Sequence, residues 1–419
     1  KIDDEKIKVQ EEIPRDHKMA LRDISEGEDI LKYGHAIGRA SQNINKGEKV
    51  HTHNVKTNLE GKLEYSYNPQ ATNKVITKAD KLKDIPTFKG YMREDGEAGI
   101  RNEIWVITTV GCVNKPAEKM AAAARQKYIN QIKKGEIDGI FNFPHPWGCS
   151  QMGGDLKNTQ KVLSGLVKHP NAGGVLVVGL GCENNYIDEF KEVLGEYNSQ
   201  RVKFINLQDV KDGHKLGLEK IDELVAYAKQ FEKKDIPVSR LKVGLKCGGS
   251  DSFSGITANP LLGEYSDKIV KYGGTTILSE VPEMFGAETI LMNRAQDKET
   301  FQEIVNLINN FKDYFISNDK VIYENPSPGN KEGGLTTLEE KSLGNIEKAG
   351  RAQVNGVNNY GDQIKGSGLQ LLESPGNDLV STTALTVAGA QIILFTTGRG
   401  TPFGAPVPTV KISTNSELY

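Results

Sequence analysis

The strongest constraint on this chain's fold is a recurring order of apolar run, loop and helical stretch that begins after Gly90. Ile104-Trp105-Val106-Ile107-Thr108-Thr109-Val110 has the length and apolarity of a buried strand, and the Ala-rich segment from Pro116 to Tyr128 follows it with helical composition. Strand-like runs recur at Gly139 to Phe143, Val175 to Gly179 and Val202 to Leu207, separated by helical stretches at Asp155 to Val167 and Glu189 to Tyr197. Strand, helix and strand in that order imply right-handed crossovers and a parallel sheet. After Pro237 the order restarts, with strands expected at Leu241 to Leu245, Thr275 to Leu278 and Ala390 to Phe395, and a helix from Lys298 to Lys312. The expectation is two Rossmann-like α/β domains with largely parallel sheets, over residues 90–236 and 237–419.

Residues 1–59 differ, with short alternating stretches punctuated by Gly. Ile24-Ser25-Glu26-Gly27-Glu28 is echoed by Ile44-Asn45-Lys46-Gly47-Glu48, each placing Gly at a turn before another strand. This predicts a small β module. Residues 60–89 are polar, with Asn, Lys, Thr and two Pro, and suit a linker or extended arm.

Lys and Arg total 53 against 55 Asp and Glu, so a net charge of -2 offers no general field for nucleic acid or an anionic membrane. The longest apolar runs, such as Gly174 to Leu180, stop far short of the ~20 residues of a membrane-spanning helix. Lys1 to Gln10 has no apolar core of the export type, and four cysteines are too few for a disulfide scaffold, so cytoplasm is the expected location.

Ligands collect beyond the carboxyl ends of parallel strands, so the loops after the apolar runs carry the most information. All four cysteines fall there: Cys112, Cys149, Cys182 and Cys247. Each read alone is equally a small buried hydrophobe. Gly-rich loops bearing Ser, Thr and Arg suit a polyhydroxy acid, with Arg399 in Thr396-Thr397-Gly398-Arg399-Gly400 placed to grip a carboxylate; tight turns are the plainer reading of those glycines. No Gly-x-Gly-x-x-Gly opens a helix after a strand, so a nucleotide cofactor is unsupported. On a strand, His51 and His53 of His51-Thr52-His53 would share one face and could bind a divalent metal, or be a solvated pair. His17 and His35 have no comparable context and read as surface residues. Arg93, Arg101 and Asn102, in the Gly90 to Asn102 segment, are either substrate contacts or parts of a solvated turn.

Several of these segments carry a resemblance. Ala20-Leu21-Arg22-Asp23-Ile24, Lys32-Tyr33-Gly34 and His51-Thr52-His53-Asn54 resemble the SAF (β-clip) module of the altronate/galactarate dehydratase family. The Gly90 to Asn102 segment is similar to that family's signature, as are His145-Pro146-x-Gly148-Cys149, Gly181-Cys182-Glu183, Lys246-Cys247-Gly248-Gly249-Ser250-Asp251, Ser279-Glu280-x-Pro282-Glu283, Gly333 to Ser342, Pro375-Gly376-Asn377-Asp378 and Thr396 to Gly404. The resemblance implies a lyase that removes water from a sugar acid, D-altronate foremost. Galactarate dehydration and sulfite expulsion from sulfolactate are alternatives within the family, and a non-enzymatic sugar-acid binder is the alternative outside it.

The chemistry implied is abstraction of the proton beside the carboxylate, then loss of the 3-hydroxyl, with iron(II) or manganese(II) carrying the enediolate charge. His51, His53, Glu183 and Cys182 are the implied metal ligands. His145 is the first choice of base and Lys246 the second, provided burial lowers its pKa. Arg93, Arg101, Asn102, Ser250, Asp251, Thr397 and Arg399 are the expected substrate contacts. An iron–sulfur cluster on the four cysteines is the other chemical reading, weighed below a mononuclear metal because Cys-x-x-Cys runs are absent. A homodimer is the expected assembly.

Overall fold

A computed structural model describes residues 6–69, 75–79 and 84–419; the first half of the charged Lys1 to Gln10 stretch and parts of the 60–89 arm lie outside them. The N-terminal module contains β1 (Lys18–Met19), β2 (Asp29–Lys32), β3 (His35–Ala40), β4 (Lys49–Val50) and β5 (Val55–Lys56). Its two echoed pentapeptides fold alike. Ser25 and Asn45 each donate a backbone N–H to the glutamate three residues on, at 2.9 and 2.8 Å, and Ile24 and Ile44 face each other across an antiparallel bridge. Ile30, Ile37, Val50 and Val55 complete the interior.

His51 to Asn54 form the turn joining β4 to β5, so the expected strand that would align His51 with His53 is absent. Asn54 closes that turn, accepting from the His51 N–H at 2.9 Å and donating to Lys49 O. The arm that follows lies along the second α/β domain. Tyr65 bonds Glu288, whose carboxylate also pairs with buried Lys312 at 3.0 Å, and Tyr67 donates to Ala295 O at 2.9 Å.

β6 (Thr87–Met92) and β7 (Ala98–Gly99) lead into the first parallel sheet, formed by β8 (Glu103–Thr108), β9 (Gly139–Phe143), β10 (Ala172–Gly179) and β11 (Val202–Asn206) in the order β11-β10-β8-β9. Every residue of β8 and β10 is buried, as a strand covered on both faces requires. The principal helices are α1 (Asn114–Lys127), α2 (Gly153–Lys168), α3 (Ile187–Leu194) and α4 (Gly213–Ala228). β12 (Lys234–Pro237) turns back to pair antiparallel with β6.

The second sheet contains β13 (Lys242–Cys247), β14 (Thr275–Leu278), β15 (Val354–Asn358), β16 (Gly368–Leu372), β17 (Ile392–Thr397) and β18 (Thr409–Ser413), all parallel, in the order β15-β16-β14-β13-β17-β18. Its principal helices are α5 (Ala258–Lys271), α6 (Lys298–Ser317), α7 (Leu338–Ile346) and α8 (Asp378–Val387). β15 and β18 are edge strands with polar, half-exposed sequences, which is why apolar periodicity does not announce them.

The two sheets meet in phase. Asn171, just before β10, donates to Gln391 O at 2.9 Å just before β17, and Trp105, Ile107, Leu385 and Phe395 share one core. The amino edges of both sheets therefore lie together, and their carboxyl edges open on the opposite side. Among the described residues no helix is long and apolar enough to cross a membrane.

The N-terminal module docks on α7. Buried Glu340 accepts from Lys18 at 2.9 Å, Lys32 at 2.8 Å and Thr336 at 2.6 Å, and Leu343 packs into the module's core. Burial alone would raise the Glu340 pKa, but the two lysines and Thr336 outweigh it and bring it down to about 2. On the lysine side, burial keeps Lys18 below the ordinary range despite its partner. Since the carboxyl is depressed, its contribution is present above the free-glutamate range of about 4.3 and is lost as pH falls toward about 2. Glu340→Gln should destabilise the docked state by about 3 kcal/mol at neutral pH. Hydrogen exchange should then rise across residues 17–58 before the rest of the chain, and acidification of the unsubstituted protein should reproduce that order.

Candidate functional site

At the carboxyl edge of the second sheet, two strand ends deliver charge into the interior. β13 ends with Lys246 and Cys247, and β14 is followed by Glu280, a non-glycine residue at φ +67. The Glu280 carboxylate lies between Lys246 and Lys348, and none of the three side chains is exposed. Lys246 also reaches Asp378, at the start of α8, at 2.8 Å, and Lys341 pairs with Glu283 at 3.1 Å. Three ammonium groups thus meet three carboxylates. Burial works against the Lys246 charge, but Glu280, Cys247, Glu283 and Asp378 together outweigh it and hold its pKa above the ordinary range. The condition under which Lys246 would act as a base, a pKa lowered by burial, is not met.

Cys247 lies inside this cluster, with its Sγ 3.4 Å from Asn345 Oδ1 and 3.8 Å from Glu283. Burial, reinforced by the two glutamates, raises its pKa and keeps it a thiol. Donor atoms of Cys247, Glu280 and Glu283 lie within 4.8 Å of one another, a spacing compatible with a metal ion.

α7 connects this cluster to the N-terminal module, because Lys341 follows Glu340 directly. Lys341 also holds Asn325 at 3.0 Å and Asn330 at 3.2 Å, and Asn330 in turn donates to Ser250 O at 2.9 Å. The module contributes Asp16, His17 and His51 to the seam. The His17 and His51 rings are 4.7 Å apart, and buried His51 Nδ1 and Ser252 Oγ have no hydrogen-bond partner among the described residues, while Asp16 Oδ1 has only an ion pair with Arg15 at 3.5 Å. Burial, then the charges of His17, Lys18 and Lys49, lower the His51 pKa to about 4. His53 is exposed, so His51 is paired with His17, which is not the isolated surface residue expected, and not with His53.

Asp251 is a structural tie in this region. Its carboxylate accepts from Ser254 Oγ at 3.0 Å and Thr414 Oγ1 at 2.8 Å, and a Cβ at Gly398 would lie 2.2 Å from its Cγ. Thr397 Oγ1 accepts the Gly400 N–H at 3.0 Å. Arg399, by contrast, is exposed and pairs with exposed Glu332 at 3.2 Å.

The remaining predicted residues lie on the first sheet. His145, Cys182 and Glu183 follow its strands at the carboxyl edge. Both His145 ring nitrogens are occupied, Nε2 by Thr108 O at 2.8 Å and Nδ1 by the Trp147 N–H at 3.2 Å, and burial lowers its pKa. Buried Glu183 accepts from Thr109 Oγ1 and the Gly181 N–H, both at 2.6 Å, so it braces its own loop. Arg93, Arg101 and Asn102 precede β8 and thus occupy the opposite, amino edge. The Arg93 guanidinium bonds Pro170 O, Arg101 O and Asn102 Oδ1, while Asn102 Nδ2 holds Ala228 O. Among the described residues no hydrogen bond or ion pair links the His145, Cys182 or Glu183 loops to His51 or His53.

Glu280, Glu283, Lys341, Lys348 and Asp378 received no role from the sequence. Four of them stand in segments already singled out, after strands or at a helix start; Lys348 had no signal beyond its charge.

Comparison with known proteins covers the whole length. The description "D-galactarate/Altronate dehydratase, C-terminal" matches residues 238–419, "D-galactarate dehydratase/Altronate hydrolase, second domain" matches 90–229, and "Altronate/galactarate dehydratase SAF domain" matches 1–58. The altronate dehydratase of Bacillus subtilis strain 168 is 53% identical over 99% of this chain and 82% of its own length. That of Escherichia coli strain K12 is 47% identical over 100% and 83%. The galactarate dehydratase (L-threo-forming) of the same strain is 32% identical over 98% and 80%. With a SAF module docked on α7 beside the second of two parallel α/β sheets and these matches along its length, the chain belongs to the altronate/galactarate dehydratase family.

Proposed function

We propose that this protein is a cytoplasmic hydro-lyase that dehydrates a sugar acid, D-altronate first, to a 2-keto-3-deoxy acid, 2-keto-3-deoxygluconate in that case. The observation that carries this reading is the likeness to two altronate dehydratases over essentially the whole chain. The seam between the SAF module and the second sheet supports it, because it gathers a cation, a neutral imidazole and ammonium groups at the carboxyl edge of parallel strands.

In this reading Arg399 grips the substrate carboxylate. Its pair with Glu332 is exposed on both sides, and such pairs are worth little, so exchanging one carboxylate for another costs little. His51 takes the α-proton. Its imidazole is neutral at working pH, and its buried Nδ1 has no protein partner. Lys341 donates to the departing 3-hydroxyl, while Lys246 and Lys348, each paired with a carboxylate, hold the strand ends around it in place. Iron(II) or manganese(II) is the cofactor of this reading and, when bound, stabilises the enediolate charge. The Cys247, Glu280 and Glu283 donors suit an ion by spacing, but lysines already occupy the carboxylates and burial keeps the thiol protonated. That cluster fits a cation poorly, and no step is routed through it.

Anaerobic protein given iron(II) or manganese(II) should form keto acid from altronate faster than from galactarate, and no sulfite from sulfolactate. Binding of altronate without keto acid would overturn the enzymatic reading in favour of a binding protein. His51→Gln should lower kcat by about 100-fold or more, while His145→Gln should retain turnover within about tenfold; the reverse ranking would return the base to His145.

A further inference from the structure

Three of the four thiols have no part in the site above. Cys112, Cys149 and Cys182 are exposed, whereas Cys247 is buried. They follow β8, β9 and β10, which are neighbours in the order β10-β8-β9 and run parallel, so all three emerge at one edge. Three adjacent strands span roughly 10 Å.

Hydrogen bonds next to each cysteine bind the three loops together. The Gly111 N–H donates to Trp147 O at 2.8 Å, joining the Cys112 loop to the Cys149 loop. The Asn185 N–H donates to Gly148 O at 3.0 Å and the Ser150 N–H to Asn184 Oδ1 at 2.7 Å, joining the Cys149 loop to the Cys182 loop. Asn185 Nδ2 reaches Thr109 O at 2.9 Å and closes the triangle. The loops approach so closely that a Cβ at Gly148, which has φ +105, would lie 2.1 Å from Thr109 O. His145 and Glu183 fit this picture as braces, since each fixes its loop against residues 108–109. Gln208 Nε2 lies 3.5 Å from Cys182 Sγ, a donor aimed at sulfur.

We propose that Cys112, Cys149 and Cys182 hold an iron–sulfur cluster of the four-iron type through three thiolates. Thiolates are the protein ligands of such clusters, and hydrogen bonds to sulfur tune them. The fourth thiol belongs to the other sheet and stays protonated, so one iron keeps a position for an oxygen ligand. Only the identity of that ligand, a hydroxyl of the sugar acid, rests on the dehydratase reading. The thiol site stands without it.

The test is to purify or reconstitute the full chain anaerobically with iron(II) and sulfide, then to measure iron, acid-labile sulfide and absorbance. About four iron and four sulfide per chain, with a broad band at about 400 nm, are expected. Cys112→Ser, Cys149→Ser and Cys182→Ser should each lose the band, and Cys247→Ser should keep it. In the unsubstituted chain the three thiols should resist iodoacetamide until iron is chelated, a reading that no folding defect of a variant affects. Colourless, sulfide-free protein with fully reactive thiols would overturn the cluster. If that same protein makes keto acid at full rate, the dehydratase reading survives; a cluster without keto acid from any sugar acid would sink that reading and leave the cluster standing.

Discussion

The second sheet's carboxyl edge depends on one buried carboxylate held between two buried ammonium groups. Glu280 has left-handed backbone and no solvent to share its charge, and Lys246 and Lys348 reach it from the end of β13 and from beyond α7. An isolated charge at such depth would cost several kcal/mol even after relaxation, so each of the three groups is tenable only because the others are present. The strained residue persists because its surroundings over-determine it. That mutual dependence fixes the ends of β13 and β14 and the far end of α7 relative to one another.

α7 transmits this rigidity to the N-terminal module. Its first turn presents Glu340 to Lys18 and Lys32, the next residue pairs with Glu283, and Asn345 one turn later faces Cys247. One helix therefore anchors the module and the buried cluster in the same frame. His51 and His17 reach the mouth of the strand ends because the module is pinned there and not tethered by a flexible arm. Even the arm contributes, with Tyr65 and Tyr67 bonded into the second domain.

The layered α/β architecture was legible because buried parallel strands are written as continuous apolar runs; Ile104 to Val110 and Val175 to Gly179 needed no other context. The paired turns of the module were legible for a local reason, since Ile24 to Glu28 and Ile44 to Glu48 each hold their glutamate and glycine within one turn. The polar edge strands β15 and β18 were not, because strand pairing supplied by a neighbour leaves no periodic mark. Site residues followed the same division. Loop positions after strands are where sequence expects the chemistry, but sequence alone does not say which loop hydroxyls and carboxylates face each other. Glu183 looks like a metal ligand and Asp251 like a substrate contact in sequence, and both brace loops in the fold, whereas Lys348 looks like any surface lysine and is fully buried. Arg93 and Asn102 belong to a strong signature whose work is to lock backbone carbonyls at the amino edge.

The scattered cysteines are the sharpest case of information that exists only after folding. Spacings of 37 residues between Cys112 and Cys149 and 33 between Cys149 and Cys182 carry no metal signature as a linear pattern. Parallel topology gives them one, because each crossover returns the chain to the same edge and each strand delivers one thiol there. The in-phase packing of the two sheets then sets this sulfur-rich edge on the same side of the molecule as the ammonium cluster and the SAF seam. Soft sulfur donors suit iron, while lysines already satisfy the hard carboxylates of the second sheet, so the proposed cluster is matched by the donors of the first sheet and not by those of the second.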